Sequence, residues 1–224
     1  MSPAPSAQPR QLACPLCPSL LGPALLTLAL LCAALPSFAQ TRPPLPTTPP
    51  LAGSITSHPN WPQPRPADVT SPLAIVNAVY DVISGPQGQP RDWDRMRSLF
   101  LPDARLIPTR IVPGSPSSSR PNTDAVPLTI DGYIARSSAR MASDGFFERG
   151  IHNQIEQFGN IVHVWSTYES RHHLADPTPF ARGINSFQLL KDGERYWVVN
   201  ILWDAETPES PIPARYLPGT PPAP

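Results

Sequence analysis

The sequence predicts an α+β domain in which about three helices pack on one side of a long, mostly antiparallel sheet. Two observations support this prediction. Apolar residues recur at helical spacing in the first half of the central region, and alternating apolar runs dominate its second half. In the second half, the runs between Phe180 and Asp204 flank Asp192-Gly193, and this dipeptide is the strongest short-range signal for a β-hairpin.

The length and the proline distribution leave room for one domain of ordinary size. The chain has 224 residues, and its 34 prolines cluster toward the two ends. We expect residues 71–206 to form the domain, residues 40–70 to be an extended proline-rich linker, and residues 207–224 to be a proline-rich tail. Because the linker and the tail have few large apolar side chains, their deletion is expected to cost little stability.

The charge balance argues against partners that require a basic protein. The formal net charge is zero, which disfavours nucleic acid or an anionic membrane as a partner. The basic residues are sixteen arginines and a single lysine. Coding bias in a GC-rich genome is the simpler explanation of this ratio, and recognition of anions by arginine is the alternative.

Residues 1–39 have the arrangement of a secretory signal peptide. Leu20–Leu35 is the most apolar run, Arg10 precedes it, and Ser37-Phe38-Ala39 follows it as a small-x-small cleavage pattern. Cleavage after Ala39 would start the mature chain at Gln40 and place it in the periplasm or outside the cell. The run is short and flanked by proline, so we expect no stable membrane anchor after cleavage.

The three cysteines are Cys14, Cys17 and Cys32, and all of them precede the expected cleavage point. The spacing of Cys14 and Cys17 is also typical of a redox or zinc motif. Because the segment that contains them should be removed, the mature chain would have no thiol and would depend on its core for stability.

Three helices are predicted from capping residues and apolar spacing. Ser71 is a good N-cap before a proline, and Asp92 and Thr129 can cap the two helices that follow. The first predicted helix begins at Pro72 and is ended by Gly85-Pro86, the second runs from Asp92 through Phe100, and the third runs from Thr129 to near Gly145. Glycine or proline follows each of them closely and is expected to end it.

Long strands make up most of the remaining domain. The predicted strands cover residues 104–112, 146–158 and 161–171 and the two arms of the Phe180–Asp204 hairpin, and residues 113–127 form a long loop. A two-residue turn at Gly159-Asn160 would place Glu148 opposite Arg171. We interpret these two residues as a surface cross-strand pair.

The register of the last hairpin determines which face of the sheet carries two amide side chains and which face carries three large apolar side chains. If Asp192-Gly193 fills a two-residue turn, Asn185 lies opposite Asn200 on one face of the sheet. The other face then carries Trp197, Ile201 and Trp203, and it would be too apolar to remain exposed. We therefore expect a homodimer through the sheet, and a C-terminal tail that covers this face is the alternative.

Several short stretches together resemble the nuclear transport factor 2-like superfamily, in its SnoaL-like branch. They are Trp93-Asp94, Leu99–Ala104 and Tyr196–Asn200, and they occur in the same order of helices and strands. The resemblance covers residues 71–206 and implies a cone-shaped fold, in which a bent sheet wraps the helices and leaves an apolar pocket. The superfamily includes isomerases, cyclases, dehydratases and proteins without known chemistry, and its enzymes use a pocket Asp or Tyr.

The candidate ligand-binding residues are polar groups expected near such a pocket: Tyr80, Asp103, Tyr168, Asn185 and Asn200. Each also has a structural interpretation, because buried tyrosines are common in cores, Asp often caps helices or turns, and paired amides can satisfy each other. The resemblance does not assign a catalytic residue to any position.

Two functions remain open from the sequence. The first is an exported module that binds a small apolar molecule or a partner without chemistry, and the alternative is a cofactor-independent isomerase, cyclase or dehydratase with a pocket Asp or Tyr as general acid or base. The spacing of the histidines predicts no metal site, and the sequence has no phosphate loop, dinucleotide fingerprint or nucleophile motif. We therefore expect no cofactor.

Overall fold

The protein is described here by a computed structural model, which covers residues 54–112 and 122–219. The helices are α1 (Pro72–Ile83), α2 (Trp93–Leu99) and α3 (Ile130–Asp144), and the strands are β1 (Phe100–Val112), β2 (Asn122–Ala125), β3 (Phe147–Phe158), β4 (Ile161–Arg171), β5 (Ala181–Asp192) and β6 (Arg195–Ala205). This arrangement confirms the predicted α+β class. The predicted signal peptide, the three cysteines and the predicted start at Gln40 lie outside the described residues.

The six strands form one mixed sheet in the order β2-β1-β6-β5-β4-β3. Every neighbouring pair is antiparallel except β1 and β6, which are parallel. The sheet is therefore mostly antiparallel, as predicted, and its parallel pair is possible because the long chain segment from β2 to β5 separates β1 from β6. Strand β2 lies within residues 113–127, which the sequence had predicted to be a loop.

The three helices begin where the capping residues predicted. Ser71 Oγ accepts a hydrogen bond from the Ala74 amide at 3.1 Å, and Asp92 Oδ1 accepts one from the Arg95 amide at 2.9 Å. Thr129 Oγ1 caps α3 in the same way. Local side-chain chemistry therefore sets the start of each helix. Within the described part of the chain, no helix is long and apolar enough to cross a membrane.

The β3–β4 hairpin has the predicted turn but a shifted register beyond its middle. Near the turn, Ile155 pairs with Val164 as expected. The register then shifts at Ile151, which is an extra residue in β3, so Glu148 pairs with Ser170 and not with Arg171. Such a bulge reverses the face to which the residues beyond it point. Glu148 therefore lies on the inner face of the sheet, and its interpretation as a surface partner of Arg171 was wrong.

The β5–β6 hairpin turns at Gly193-Glu194, one residue later than predicted. Gly193 has a φ of +59°, and no residue other than glycine has a positive φ in residues 54–112 and 122–219. The first position of the loop therefore favours glycine, because glycine adopts a positive φ without steric cost. A second irregularity leaves Val199 unpaired, so Asn185 faces Trp203 and Asn200 faces Gln188. Asn185 and Asn200 consequently lie on opposite faces, which contradicts their predicted pairing.

The same change of register separates the three residues of the predicted dimer face. Ile201 and Trp203 point inward, where Ile201 belongs to the core and Trp203 packs against it. Trp197 points to the other face and is buried beneath the Arg195 guanidinium, which lies 3.2 Å from its ring centroid. An interface formed by all three side chains is therefore impossible in this register. Dimerisation through the sheet stays a prediction, without this interface.

The described part of the linker packs on the domain. The Trp61 indole Nε1 donates to the carbonyl oxygens of Arg97 and Phe100, both at 3.0 Å. Val69 is buried, and its carbonyl accepts a hydrogen bond from the Tyr196 amide at 2.9 Å. Residues 54–70 are therefore not a free tether, because they bind the end of α2 and the start of β6.

The described part of the tail also returns to the sheet. The Tyr216 ring stacks on Trp165 with centroids 5.6 Å apart, and its carbonyl accepts a hydrogen bond from Thr167 Oγ1 at 2.6 Å. Ile212 is buried. The tail therefore covers the outer face of β4, a different location from the predicted face on β6.

We expect Trp61→Ala to lower the free energy of unfolding by about 2–3 kcal/mol, because it removes partly buried aromatic area and two hydrogen bonds. Trp61→Phe should lose only about 1 kcal/mol, since it keeps the ring and removes the donor. Urea denaturation of the two variants measures both effects. Stability unchanged in Trp61→Ala would show that the segment does not dock in solution.

Candidate functional site

A cavity of about 270 Å³ lies between α3 and the inner face of the sheet. Its wall combines apolar and aromatic side chains with a few polar ones, as is common for small-molecule sites. The polar side chains that line it are Glu148, Ser170, Tyr133, Ser137, Tyr168 and Asn185.

Glu148 is the acidic group of this cavity. The bulge at Ile151 turns its side chain inward, and Ser170 Oγ donates to Glu148 Oε2 at 2.7 Å. Burial raises the pKa of the Glu148 carboxyl to about 7, although hydrogen bonds from Ser170 and Asn185 act in the opposite direction. A carboxyl with a pKa near neutrality can both accept and release a proton at physiological pH.

The hydroxyl of Tyr80 belongs to a polar network behind the cavity. It donates to Ser166 Oγ at 2.6 Å and accepts from Asn185 Nδ2 at 3.1 Å. Burial is the main cause that raises the pKa of Tyr80, and the nearby charge of Glu148 adds to it. Asn185 therefore links Tyr80 with Glu148 and holds both in place.

Two further tyrosines line the cavity itself. Burial, followed by the charge of Glu148, raises the pKa of Tyr133 and of Tyr168, so both hydroxyls remain neutral donors. A β-carbon on Gly183 would lie 2.6 Å from Tyr168 Oη and 2.2 Å from the Asp204 carbonyl oxygen, so this glycine makes room for the Tyr168 ring. In the described part of the chain, the Tyr168 hydroxyl has no hydrogen-bond partner.

A second and wider cleft also borders Glu148. Its volume is about 670 Å³, and it lies between α1 and the first residues of β3. Asn77 and Asp81 of α1 form one wall, and Arg149 and Arg171 form the other. Because Glu148 borders both spaces, it is only partly shielded from solvent.

Three of the five candidate residues from the sequence belong to this site. Tyr168 and Asn185 line the cavity, and Tyr80 contacts Asn185 and lines the wider cleft. Asp103 is exposed near the start of β1, and Asn200 points to the outer face of the sheet. Neither of these two residues contributes to the cavity.

Sequence reasoning missed Glu148 as a site residue. The predicted turn at Gly159-Asn160 is confirmed. Counting strand pairs from this turn, however, does not account for Ile151, which is an extra residue in β3. Gly150, directly before the bulge, was the available signal, since an isolated glycine in a strand often marks a bulge or a close approach. A β-carbon there would lie 3.1 Å from Ser166 Oγ and from a ring carbon of Tyr80.

A metal centre is not found in residues 54–112 and 122–219, where no group of three or more His, Cys, Asp or Glu side chains could hold an ion. His173 and Asp176 form an isolated pair, with 3.6 Å between Nδ1 and Oδ1. His172 stacks on Phe180, with the two ring centroids 4.2 Å apart.

No family model matches the chain, and no curated protein matches it. Among solved structures, it is similar to an NTF2-like protein of unknown function from Silicibacter pomeroyi, with 14% identity, a TM-score of 0.38, and coverage of 60% of this chain and 92% of the other. A protein of unknown function with a cystatin-like fold from Nostoc punctiforme gives 9% identity, a TM-score of 0.43, and coverage of 64% and 98%.

A third neighbour is a proposed ketosteroid isomerase from Parabacteroides distasonis, with 13% identity, a TM-score of 0.39, and coverage of 62% of this chain and 89% of the other. No residue role is transferred from these proteins. The observed order of helices and the mostly antiparallel sheet agree with the α+β class that the sequence predicts.

Proposed function

We propose that the cavity is the active site of a cofactor-independent enzyme that moves a proton on a small, largely apolar substrate. The reaction class is isomerisation, cyclisation or dehydration. The observation that supports it is the inward-facing Glu148 carboxyl, whose pKa is about 7 and which is surrounded by neutral hydroxyl and amide donors. A pocket that only binds a ligand does not need an acidic group with a pKa near 7. The pKa of Glu148 therefore favours catalysis over ligand binding alone.

Glu148 would act as general base and then as general acid. In its ionised form it accepts a proton from a carbon next to a carbonyl, and in its protonated form it returns that proton to another position. The Tyr168 hydroxyl has no protein partner in the described part of the chain and is free to donate to the oxygen on which negative charge develops. Acid–base catalysis contributes roughly 10²–10⁴-fold in rate, and one well-placed oxyanion donor contributes about 10²–10³-fold.

Asn185 has a positioning role in this scheme. Its amide is hydrogen-bonded to the Tyr80 hydroxyl at 3.1 Å and supports the ionised form of Glu148. Such support fixes the carboxylate in one orientation and keeps its pKa from rising further. The expected export of the chain, which rests on the Ser37-Phe38-Ala39 pattern, stays a prediction.

The proposal predicts that the protein accelerates exchange of the α-hydrogens of 2-tetralone in D₂O, measured by proton NMR. The rate should rise with pH and reach half of its maximum near pH 7, because the ionised Glu148 is the base. Glu148→Gln should lower the exchange rate by about 10²–10⁴-fold, since an amide cannot accept the proton.

Glu156→Gln is the matched control, because Glu156 lies exposed on the same strand and is far from the cavity wall. This variant should exchange 2-tetralone like the unaltered protein. If the unaltered protein and Glu148→Gln show the same rate, the proposed function is wrong, and ligand binding without chemistry becomes the better explanation.

A further inference from the structure

We propose that the substrate of this site is an amphipathic carboxylic acid, whose apolar body fills the cavity while its carboxylate binds Arg136 and Arg140. This inference deepens the proposed function and rests on the same site. It names a class of ligand, an acid with a ring or a branched apolar body, and it names the two side chains that would recognise its charge.

A surface groove of about 260 Å³ adjoins the cavity. The groove and the cavity share the side chains of Ser137, Met141, Phe146 and Phe180. The proposed ligand would pass between these shared side chains to reach the surface. Its outer end would then lie against the C-terminal half of α3.

Two arginines border the outer part of the groove. Arg136 and Arg140 are four residues apart on α3, so their side chains project from the same face of the helix. In the described part of the chain, the Arg136 side chain has no ion pair or hydrogen bond. In the same residues, the Arg140 guanidinium has a single partner, Asp144, at 3.7 Å between Nε and Oδ2, and the two side chains are 81% and 45% exposed. An exposed pair at this distance is weak and leaves the guanidinium available.

The two arginines of α2 differ from Arg136 and Arg140 because their guanidinium groups are hydrogen-bonded to carboxylates. Arg95 binds Asp68 with two hydrogen bonds of 2.8 and 3.0 Å, and Arg97 binds Asp94 and Asp131. The groove is therefore distinctive because its two guanidinium groups face only one carboxylate, that of Asp144. The excess positive charge favours an anionic group, and a planar carboxylate fits the guanidinium fork.

The inner part of the groove is suited to an aromatic or other apolar body. Phe146 and Phe180 have ring centroids 6.1 Å apart, and the Phe180 ring also stacks on His172. Phe180 remains 49% exposed. A ligand that passes between the arginines and the cavity would cover this ring, which otherwise leaves apolar surface in water.

The test compares two probes that differ only in charge: 2-naphthylacetate and its neutral amide, 2-naphthylacetamide. Isothermal titration calorimetry with the full chain should give a Kd at least about tenfold lower for the acid, and raising the salt concentration should reduce this preference. The double variant Arg136→Met, Arg140→Met should bind both probes equally. Arg65→Met, which alters an exposed arginine that pairs with Asp92, should keep the preference.

Equal binding of the two probes by the unaltered protein, binding of neither probe, or a preference that survives in the double variant would each overturn the inference. These outcomes are separable from the exchange assay with neutral 2-tetralone. Exchange that depends on Glu148 without a charge preference rejects only the acid as substrate. A charge preference that depends on the two arginines, without such exchange, rejects the proposed chemistry and leaves an acid-binding site.

Discussion

Replacement of Arg91 by methionine should lower the free energy of unfolding by about 3–5 kcal/mol, because it leaves several buried carbonyl groups without their donor. The Arg91 guanidinium donates to the carbonyl oxygens of Ile83 at 2.9 Å, Gly85 at 2.6 Å and Met141 at 3.2 Å. Ile83 ends α1, and Met141 lies in the last turn of α3. One cation therefore ties together the C-terminal ends of two helices, where carbonyl groups lack helical partners.

Arg91 is buried and burial lowers its pKa, so the hydrogen bonds to these carbonyls replace the water that would otherwise solvate the guanidinium. Arg91→Lys should lose about half as much stability, since an ammonium group cannot reach divergent carbonyls as a planar guanidinium does. Arg105→Met is the control, because within the described residues the Arg105 side chain donates only to carbonyls of its own strand segment. Equal losses in Arg91→Met and Arg105→Met, measured by urea denaturation, would contradict this role.

Local chemistry made the helices predictable from the sequence. Ser71, Asp92 and Thr129 each cap the helix that follows, and this depends only on residues within one turn. The turn at Gly159 was predictable for the same reason, since its φ of +56° favours glycine. Features of this kind do not depend on the rest of the fold.

The register of long strands was not predictable in the same way. Bulges at Ile151 and Val199 are set by packing against distant elements, such as the contact of Gly150 with Tyr80, and each of them changes which face a side chain occupies. The sequence therefore identified Tyr168 and Asn185 but assigned Asn200 to the wrong face. The bulge at Ile151 is also the reason that the sequence did not predict Glu148 as a site residue. Among the described residues, Glu148 is the only carboxylate that lines the cavity.

Glu148→Gln should raise the free energy of unfolding at pH 8 while it lowers activity. The pKa of Glu148 is about 7 in the folded protein, compared with the ordinary value of 4.5. Below pH 4.5 the carboxyl is protonated in both states, and the substitution should have little effect. As the pH rises from 4.5 to 7, the unfolded chain loses this proton while the folded chain keeps it, so the folded state loses relative stability.

Above pH 7 this penalty is complete and amounts to at most about 3 kcal/mol, and glutamine avoids it because it does not ionise. Thermal or urea unfolding of Glu148→Gln at pH 4 and pH 8 measures the difference, with Glu156→Gln as the exposed control. A gain in stability that is the same at both pH values would show that burial does not shift Glu148. A gain confined to high pH, together with the loss of proton exchange, indicates that the Glu148 carboxylate lowers the stability of the fold but is needed for proton transfer. Replacement of a purely structural carboxylate would instead lower the free energy of unfolding.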